Sequence, residues 1–418
     1  MTTPPHAARF ARLTLPLAGV NVVNQASRAL IATIGPALAL EFGLSATELG
    51  LLAATFFASY ALAQLPVGLA LDMFGVRRVQ RVLALVACVG FVLCATSSSI
   101  AGLAIGRLVT GLGVSVGMIA MLTAHTQWLP RDRVAGRTGL GVFVASFGGM
   151  AATLPAQQIL PLVGWRGLFL VLAGIAACVS VWISVSVPER PVSPAPRRGL
   201  WAEIVEYGAI FRHPAFMRIA PSITLLSGLN FTYGGLWAGP WLRDVGGFEG
   251  TARATLLLAF ALGMTAGSLL TGQAASGLSR RGYNPMTVPI IGMAGLWATQ
   301  GLLLFNPWPG AAAIGAFWFL FAFVSSSGPT AYAALAQQFP ATLAGRVGTA
   351  INFSMLLVVF LLQNAIGWVL DLWPRTASGG WASAGYGWAL GLTMAAQLVA
   401  ALWMLWPRSS EAGAYTNR

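Results

Sequence analysis

Apolar runs of 20 residues or more recur from one end of this chain to the other, and that repetition decides what it can fold into. A helix rises 1.5 Å per residue, so about 20 apolar residues cross the ~30 Å hydrocarbon core of a bilayer. Twelve such stretches can be drawn, near residues 14–41, 49–71, 79–97, 101–128, 139–161, 166–187, 216–241, 253–275, 286–305, 310–337, 348–371 and 386–406. Charged residues make up only 8% of the chain, too few to coat a soluble body of 418 residues. Long continuous runs, as opposed to short alternating ones, exclude a transmembrane β-barrel. The expected fold is an all-α membrane protein with twelve transmembrane helices.

The net charge of +13 would suggest nucleic acid in a soluble protein. Here the bilayer accounts for it. All 24 basic residues are arginine; 18 fall in loops and tails on one side of the expected membrane, four on the other and two inside helices. Such a bias sets orientation and places the arginine-rich side, with both termini, in the cytoplasm. No nucleic-acid partner is expected. Cys88, Cys94 and Cys178 lie in apolar stretches without metal or redox spacing, and read as small packing residues. The first apolar segment is too long for a signal-peptide core and reads as an uncleaved helix.

The longest polar break, residues 188–215, carries Pro188, Pro191, Pro194 and Pro196 and divides six spans from six. Within it, Trp201 to Phe211 has the pattern of an amphipathic helix at the membrane surface. The expected units are residues 1–187, a central cytoplasmic loop 188–215, and residues 216–418. The halves resemble each other. Ala-Gly-Arg recurs at 135–137 and 344–346, 209 residues apart, while Pro36 with Pro240, Gly68 with Gly272 and Arg77 with Arg281 are each 204 apart. A duplicated six-helix unit follows, and such repeats place a substrate site at their interface near the midplane.

Two motifs add a resemblance. Between the second and third spans stands Gly68-Leu-Ala-Leu-Asp72-Met-Phe-Gly75-Val-Arg77-Arg78, and in the fourth Gly106-Arg107-Leu-Val-Thr-Gly111-Leu-Gly113. The first resembles the loop signature of the major facilitator superfamily, the second its R-x-x-x-G-x-G pattern. The corresponding loop of the second half has Ser276 where Asp72 would stand. The resemblance implies two pseudo-symmetric six-helix bundles that rock around a central site. It also implies an inner gate in which Asp72, with Gly68, Gly75, Arg77, Arg78, Arg137 and Arg346, holds the start of the eleventh span near Gly348. The alternative is that these residues only fix topology.

In the first span Asn21, Asn24, Gln25 and Arg28 recur at spacings of three and four, so they share one helical face. A charge at bilayer depth costs at least ~2.5–3.5 kcal/mol, and the group is expected to face protein or water. The stretch from Asn24 to Gly50 resembles the first helix of the anion:cation symporter branch, where an arginine so placed binds the substrate's anionic group; Ser27 replaces the acid that usually precedes it. Arg28 is therefore the expected anchor for a small organic anion, a carboxylate or organophosphate. Tyr60, Gln64, Asn230, Tyr233, Trp237, Asn352 and Asn364 are further candidates, and Thr232 stands at the duplicated position of Arg28. A break is expected at Ser325-Ser326-Ser327-Gly328-Pro329. Arg28 could instead bond to backbone and be structural. For Arg107 the resemblance implies gating or coupling, with snorkelling as the alternative. His125, the one histidine inside a span, is a candidate proton carrier or a helix-end residue facing headgroups.

The expectation is a secondary active transporter in a bacterial inner membrane, acting as a monomer on a small molecule with a proton or counter-substrate. The rivals are a multidrug or metabolite exporter, a copper importer using Met118, Met121 and His125, and a non-transporting scaffold. Drug cations favour an embedded acid, and no span has one near its middle. No nucleotide-binding loop, metal motif or acid pair supports enzymatic activity, and no cofactor or metal is expected.

Overall fold

The computed structural model describes residues 10–189, 200–305, 310–340 and 343–406. Among these, nine helices are long and apolar enough to cross a membrane. Joining segments that continue across short breaks, and dividing Leu154–Ser186 at its kink at Gly164, gives twelve rods, six before residue 188 and six after. The rods that miss the apolar criterion on their own are the first (Leu15–Phe42), the fifth (Arg131–Ala151 with the start of Leu154–Ser186) and the seventh (Pro214–Thr232, a π turn Tyr233–Trp237, then Ala238–Asp244). Each of these three lines a cavity described below.

Local chemistry sets the ends. Ser45 Oγ accepts from the Glu48 amide at 3.1 Å while the Glu48 carboxylate accepts from the Ser45 amide at 2.8 Å, a reciprocal cap that starts the second span, Ala46–Phe74. Gly75 turns the chain into the third span, Val76–Thr96, with φ of 79°, a value that favours glycine. The fourth span breaks between Ile100–Val114 and Gly117–Trp128, and the tenth between Ala311–Ser325 and Gly328–Ala336. The second break matches expectation; the first lies outside the expected breaks, and the π turn falls on Gly234-Gly235 just ahead of Gly239-Pro240. The fifth span starts at Arg131, a full two turns before the apolar run begins. The surface helix is present as Leu200–Arg212, and its Glu206 pairs with Arg346 at 2.8 Å.

The two bundles meet along the second and eleventh spans (the latter Ala344–Leu370) and along the first and seventh. At the arginine-poor face this seam is tight. Asp371, just past the eleventh span, accepts from the amides of Ala46 and Thr47 at 2.8 Å each, capping the opposite bundle's second span. Arg253 donates to the Thr33 carbonyl at 3.1 Å and Arg375 to that of Leu44. Pro36 has no amide hydrogen, so the Ala32 carbonyl lacks its helical donor. Gly239 of the seventh span packs straight onto that oxygen; a Cβ there would collide with it. A Cβ on Gly50 or Gly367 would come within 2.5 Å of the carbonyl oxygens of Gln363 and Ala46. At the arginine-rich face the contrast is complete: a Cβ on Gly68, Gly136, Gly272, Gly345 or Gly348 would meet nothing within 4 Å. The molecule is closed at one face and open at the other.

Candidate functional site

The open end leads to a cavity of about 260 Å³ between the bundles. One wall is the polar stripe of the first span: Asn21, Asn24, Gln25 and Arg28 all line it, joined by Tyr60. The opposite wall brings Asn230 and Phe231 from the seventh span, Ser325 and Ser326 from the tenth, and Asn352 from the eleventh. Met118, Met264 and Met355 supply apolar surface. A smaller pocket of about 40 Å³ continues from the same arginine toward Thr153 and Gly234.

Arg28 is 8% exposed, and that exposure is toward the cavity it lines. Its guanidinium carbon lies 4.7 Å from the Phe231 ring centre and 4.9 Å from that of Tyr60, with Phe57 and Phe56 at 5.6 and 5.9 Å. Ring faces attract a cation, by about 0.5 to 2 kcal/mol each, and offset part of the cost of holding the charge at this depth. No carboxylate of a described residue pairs with it. Its Nε has no hydrogen-bond partner, and neither has Asn24 Oδ1 or Asn230 Oδ1. Buried polar atoms left unpaired in a folded protein ask for an explanation, and three around one cavity fit a site for a polar ligand. Asn230 is held by its own amide, which donates to Ser325 Oγ at 2.7 Å, to the Ala322 carbonyl at 3.1 Å and to Ser326 Oγ at 3.2 Å. The break in the tenth span thus positions a seventh-span side chain.

Four candidates do not line the cavity. Gln64 donates to the Ser115 carbonyl at 3.1 Å, at the break in the fourth span. Asn364 turns back on its own helix, to Phe360. Tyr233, at the start of the π turn, packs into the second bundle against Trp318 and Phe321. Trp237 is buried in the closed seam, where its indole donates to the Gln363 carbonyl at 3.3 Å. Met118, Phe231, Met264, Tyr332 and Met355 line the cavity instead; their apolar character hid them among ordinary packing residues.

Arg107 does not snorkel. It is buried, its terminal nitrogen donates to both the carbonyl and the hydroxyl of Ser27 at 3.0 Å, and its guanidinium carbon sits 4.5 Å from the Phe56 ring centre. It therefore lies directly behind Arg28, sharing Phe56 with it. His125 faces no headgroup: it is enclosed, with Thr14 Oγ1 at 3.0 Å from one ring nitrogen and Thr138 Oγ1 at 2.9 Å from the other. It ties the first, fourth and fifth spans, and of the residues considered for copper only Met118 reaches the cavity. At the arginine-rich face, Arg77 donates to the Ser184 carbonyl, and Arg78 reaches Glu189 at 2.5 Å. The first contact stays within the first bundle, and the second reaches the start of the central loop just past the sixth span. Arg137 lies in the second turn of the fifth span, next to Thr138. The Asp72 side chain lies outside the described residues.

Twelve rods in two bundles around a polar central cavity define a helical membrane carrier fold. The sequence profile of the Major Facilitator Superfamily matches residues 17–363, and the chain belongs to that family. It is 26% identical over 264 residues to the "Probable sulfoacetate transporter SauU" of Cupriavidus necator, covering 58% of this chain and 60% of that one. It is 31% identical over 222 residues to monocarboxylate transporter 11 of Homo sapiens, covering 50% and 45%. The chain thus matches well under two thirds of the length of either relative. Among solved structures, a bacterial homologue of the human lysosomal transporter Spinster, inward-facing and unoccupied, superposes with a TM-score of 0.72 at 16% identity, covering 96% and 97%. Relatives and fold are those of transporters, not enzymes.

Proposed function

We propose that this protein is a secondary transporter that moves a small organic anion by alternating access, with Arg28 holding the anionic group. One observation carries the reading: a guanidinium at mid-membrane depth, without a carboxylate partner among the described residues, lines the cavity where the bundles meet. A carboxylate or similar oxyanion takes two parallel hydrogen bonds from such a group, and in a half-dry cavity these are strong. Asn24 and Asn230 are placed to complete the ligand's hydrogen bonds from the two bundles. The aromatic and methionine surface suits an organic body more than a fully hydrated inorganic ion. That one relative's name gives sulfoacetate and another's a monocarboxylate supports the same class. A cavity whose described lining has a cation and no acid does not favour cationic drugs. The arginine-rich face is taken as cytoplasmic, in a bacterial inner membrane, which makes this conformer inward-open.

Purified protein in liposomes tests this with labelled lactate, benzoate and sulfoacetate. Arg28→Ala is expected to reduce uptake of the transported anion more than tenfold, and Arg28→Lys to leave a partial rate with weakened affinity. Unchanged uptake by correctly inserted Arg28→Ala protein would remove the proposal.

A further inference from the structure

We infer that the protein is an exchanger: its bundles re-orient when the cavity holds an anion and not when it is empty, so one anion is traded for another. The inference rests on the reading of Arg28 as the anion anchor and adds how the carrier cycles.

Arg28 lines the cavity and Arg107 stands behind it, both packed on Phe56. Ser27, the residue before Arg28, is neutral and already accepts from Arg107. No acid of the first, second or eleventh span comes near. In the first span Glu41 is 13 residues from Arg28, about 20 Å along the helix. In the second, Glu48 and Asp72 each stand 12 residues from Tyr60, about 18 Å in either direction. In the eleventh, Asp371 is 19 residues from Asn352 and engaged by Ala46 and Thr47. Among the described residues, therefore, no carboxylate pairs with Arg28.

While one face is open, water and dissolved ions reach Arg28. Passage to the opposite state requires both ends to be closed at once, around walls that include Phe231, Met264 and Met355. Arg107 is sealed already, on the Ser27 carbonyl and hydroxyl; sealing Arg28, whose Nε has no acceptor, is unfavourable, whereas a charge paired by a hydrogen-bonded anion largely escapes that penalty. The anion stabilises the closed intermediate far more than it stabilises the open state, and a ligand can drive an equilibrium only through such a difference. The loaded carrier crosses and the bare carrier waits. Each cycle moves one anion each way, so for anions of equal charge the charge carried by the protein cancels between the two legs. Exchange of this kind is insensitive to membrane potential.

The test follows the empty carrier and needs no identified cargo. Spin labels at Gly136→Cys and Gly345→Cys, one on each bundle at the open face, report its closure by pulsed electron resonance in liposomes, with the three native cysteines replaced by alanine. In wild-type background without added organic anion, a single long distance is expected. Arg28→Gln, which removes the charge, should show a shorter distance in at least tenfold more molecules. Ser27→Asp, which sets a carboxylate against the Arg107 guanidinium behind Arg28 and lowers the site's charge by one, should do the same and serves if Arg28→Gln fails to insert. An empty wild-type carrier that already shows the short distance as often as the variants overturns the inference, as does a long distance in both variants. The anion reading is judged separately by thermal shifts with lactate, benzoate and sulfoacetate. Shifts that survive Arg28→Gln sink that reading, whereas shifts that vanish without any change in the empty carrier's distances sink only the exchange.

Discussion

The two ends of the seam between the bundles are built from similar materials and behave oppositely. Both carry glycines on the second and eleventh spans. At the arginine-poor face those glycines touch opposing backbone and Asp371 caps the second span. At the arginine-rich face Gly68, Gly345 and Gly348 meet open space. There Arg77, Arg78 and Arg346 pair within their own bundle or with the central loop and its helix. The lesson is that a glycine on a carrier helix marks a possible contact, and the conformation decides whether the contact is made. Closure at one end and opening at the other are the two halves of one rocking motion.

The comparison breaks most sharply at Gly239. Gly239→Val drives a side chain into the Ala32 carbonyl and should leave at least tenfold fewer molecules closed at the arginine-poor face. A membrane-impermeant maleimide reacting with Thr47→Cys reads this as faster labelling. Gly348→Val, which meets open space, should leave that labelling rate unchanged; equal effects of the two would mean the seam is not where the geometry puts it.

Asp371→Asn comes next. It removes a charged cap worth about 1 kcal/mol, so the closed population should fall roughly fivefold by the same labelling assay. Acid should imitate this substitution. Burial works to raise the Asp371 pKa, but the hydrogen bonds from Thr47 and Ala46 outweigh it and hold the carboxyl below its ordinary value. With the pKa lowered in the closed state, the hold is complete above the ordinary value near ~3.9 and is lost as pH falls through the lowered one. Labelling of Thr47→Cys should therefore be flat from pH 8 to pH 5 and accelerate only below about pH 4. The smallest effect is expected from Glu206→Gln, which breaks a partly exposed pair with Arg346 on the open side. Such pairs contribute at most about 1 kcal/mol, so a marginal loss of thermal stability and no change at the closed face are expected.

Much of this was written in the local pattern. The twelve spans, the stripe of Asn21, Asn24, Gln25 and Arg28, and the break after Ser325 all follow from side-chain period and helix-breaking residues, which are local properties. The shortfall in apolar character of the first and seventh spans is itself a sign of the cavity, since a helix that lines water need not satisfy lipid all round. What failed was any inference about which way a residue points once its helix is irregular. Tyr233 and Trp237 share a face with Asn230 on an ideal helix; the π turn Tyr233–Trp237 shifts the register along that stretch, and neither side chain lines the cavity. Gln64 was drawn off by the Ser115 carbonyl at a break that no proline or charge announces.

The sequence by itself determined that the chain crosses a membrane repeatedly, that it is duplicated, and that a positive charge without an acid stands at the middle of the first span. These follow from hydropathy, spacing and composition, which require no knowledge of neighbours. Only the tertiary structure decided that Arg28 lines a cavity while Arg107 is spent on Ser27, and that one end of the seam is shut while the other is open. The fate of a buried charge depends on what the rest of the chain brings within a few ångströms of it, and here those groups come from helices far apart in sequence.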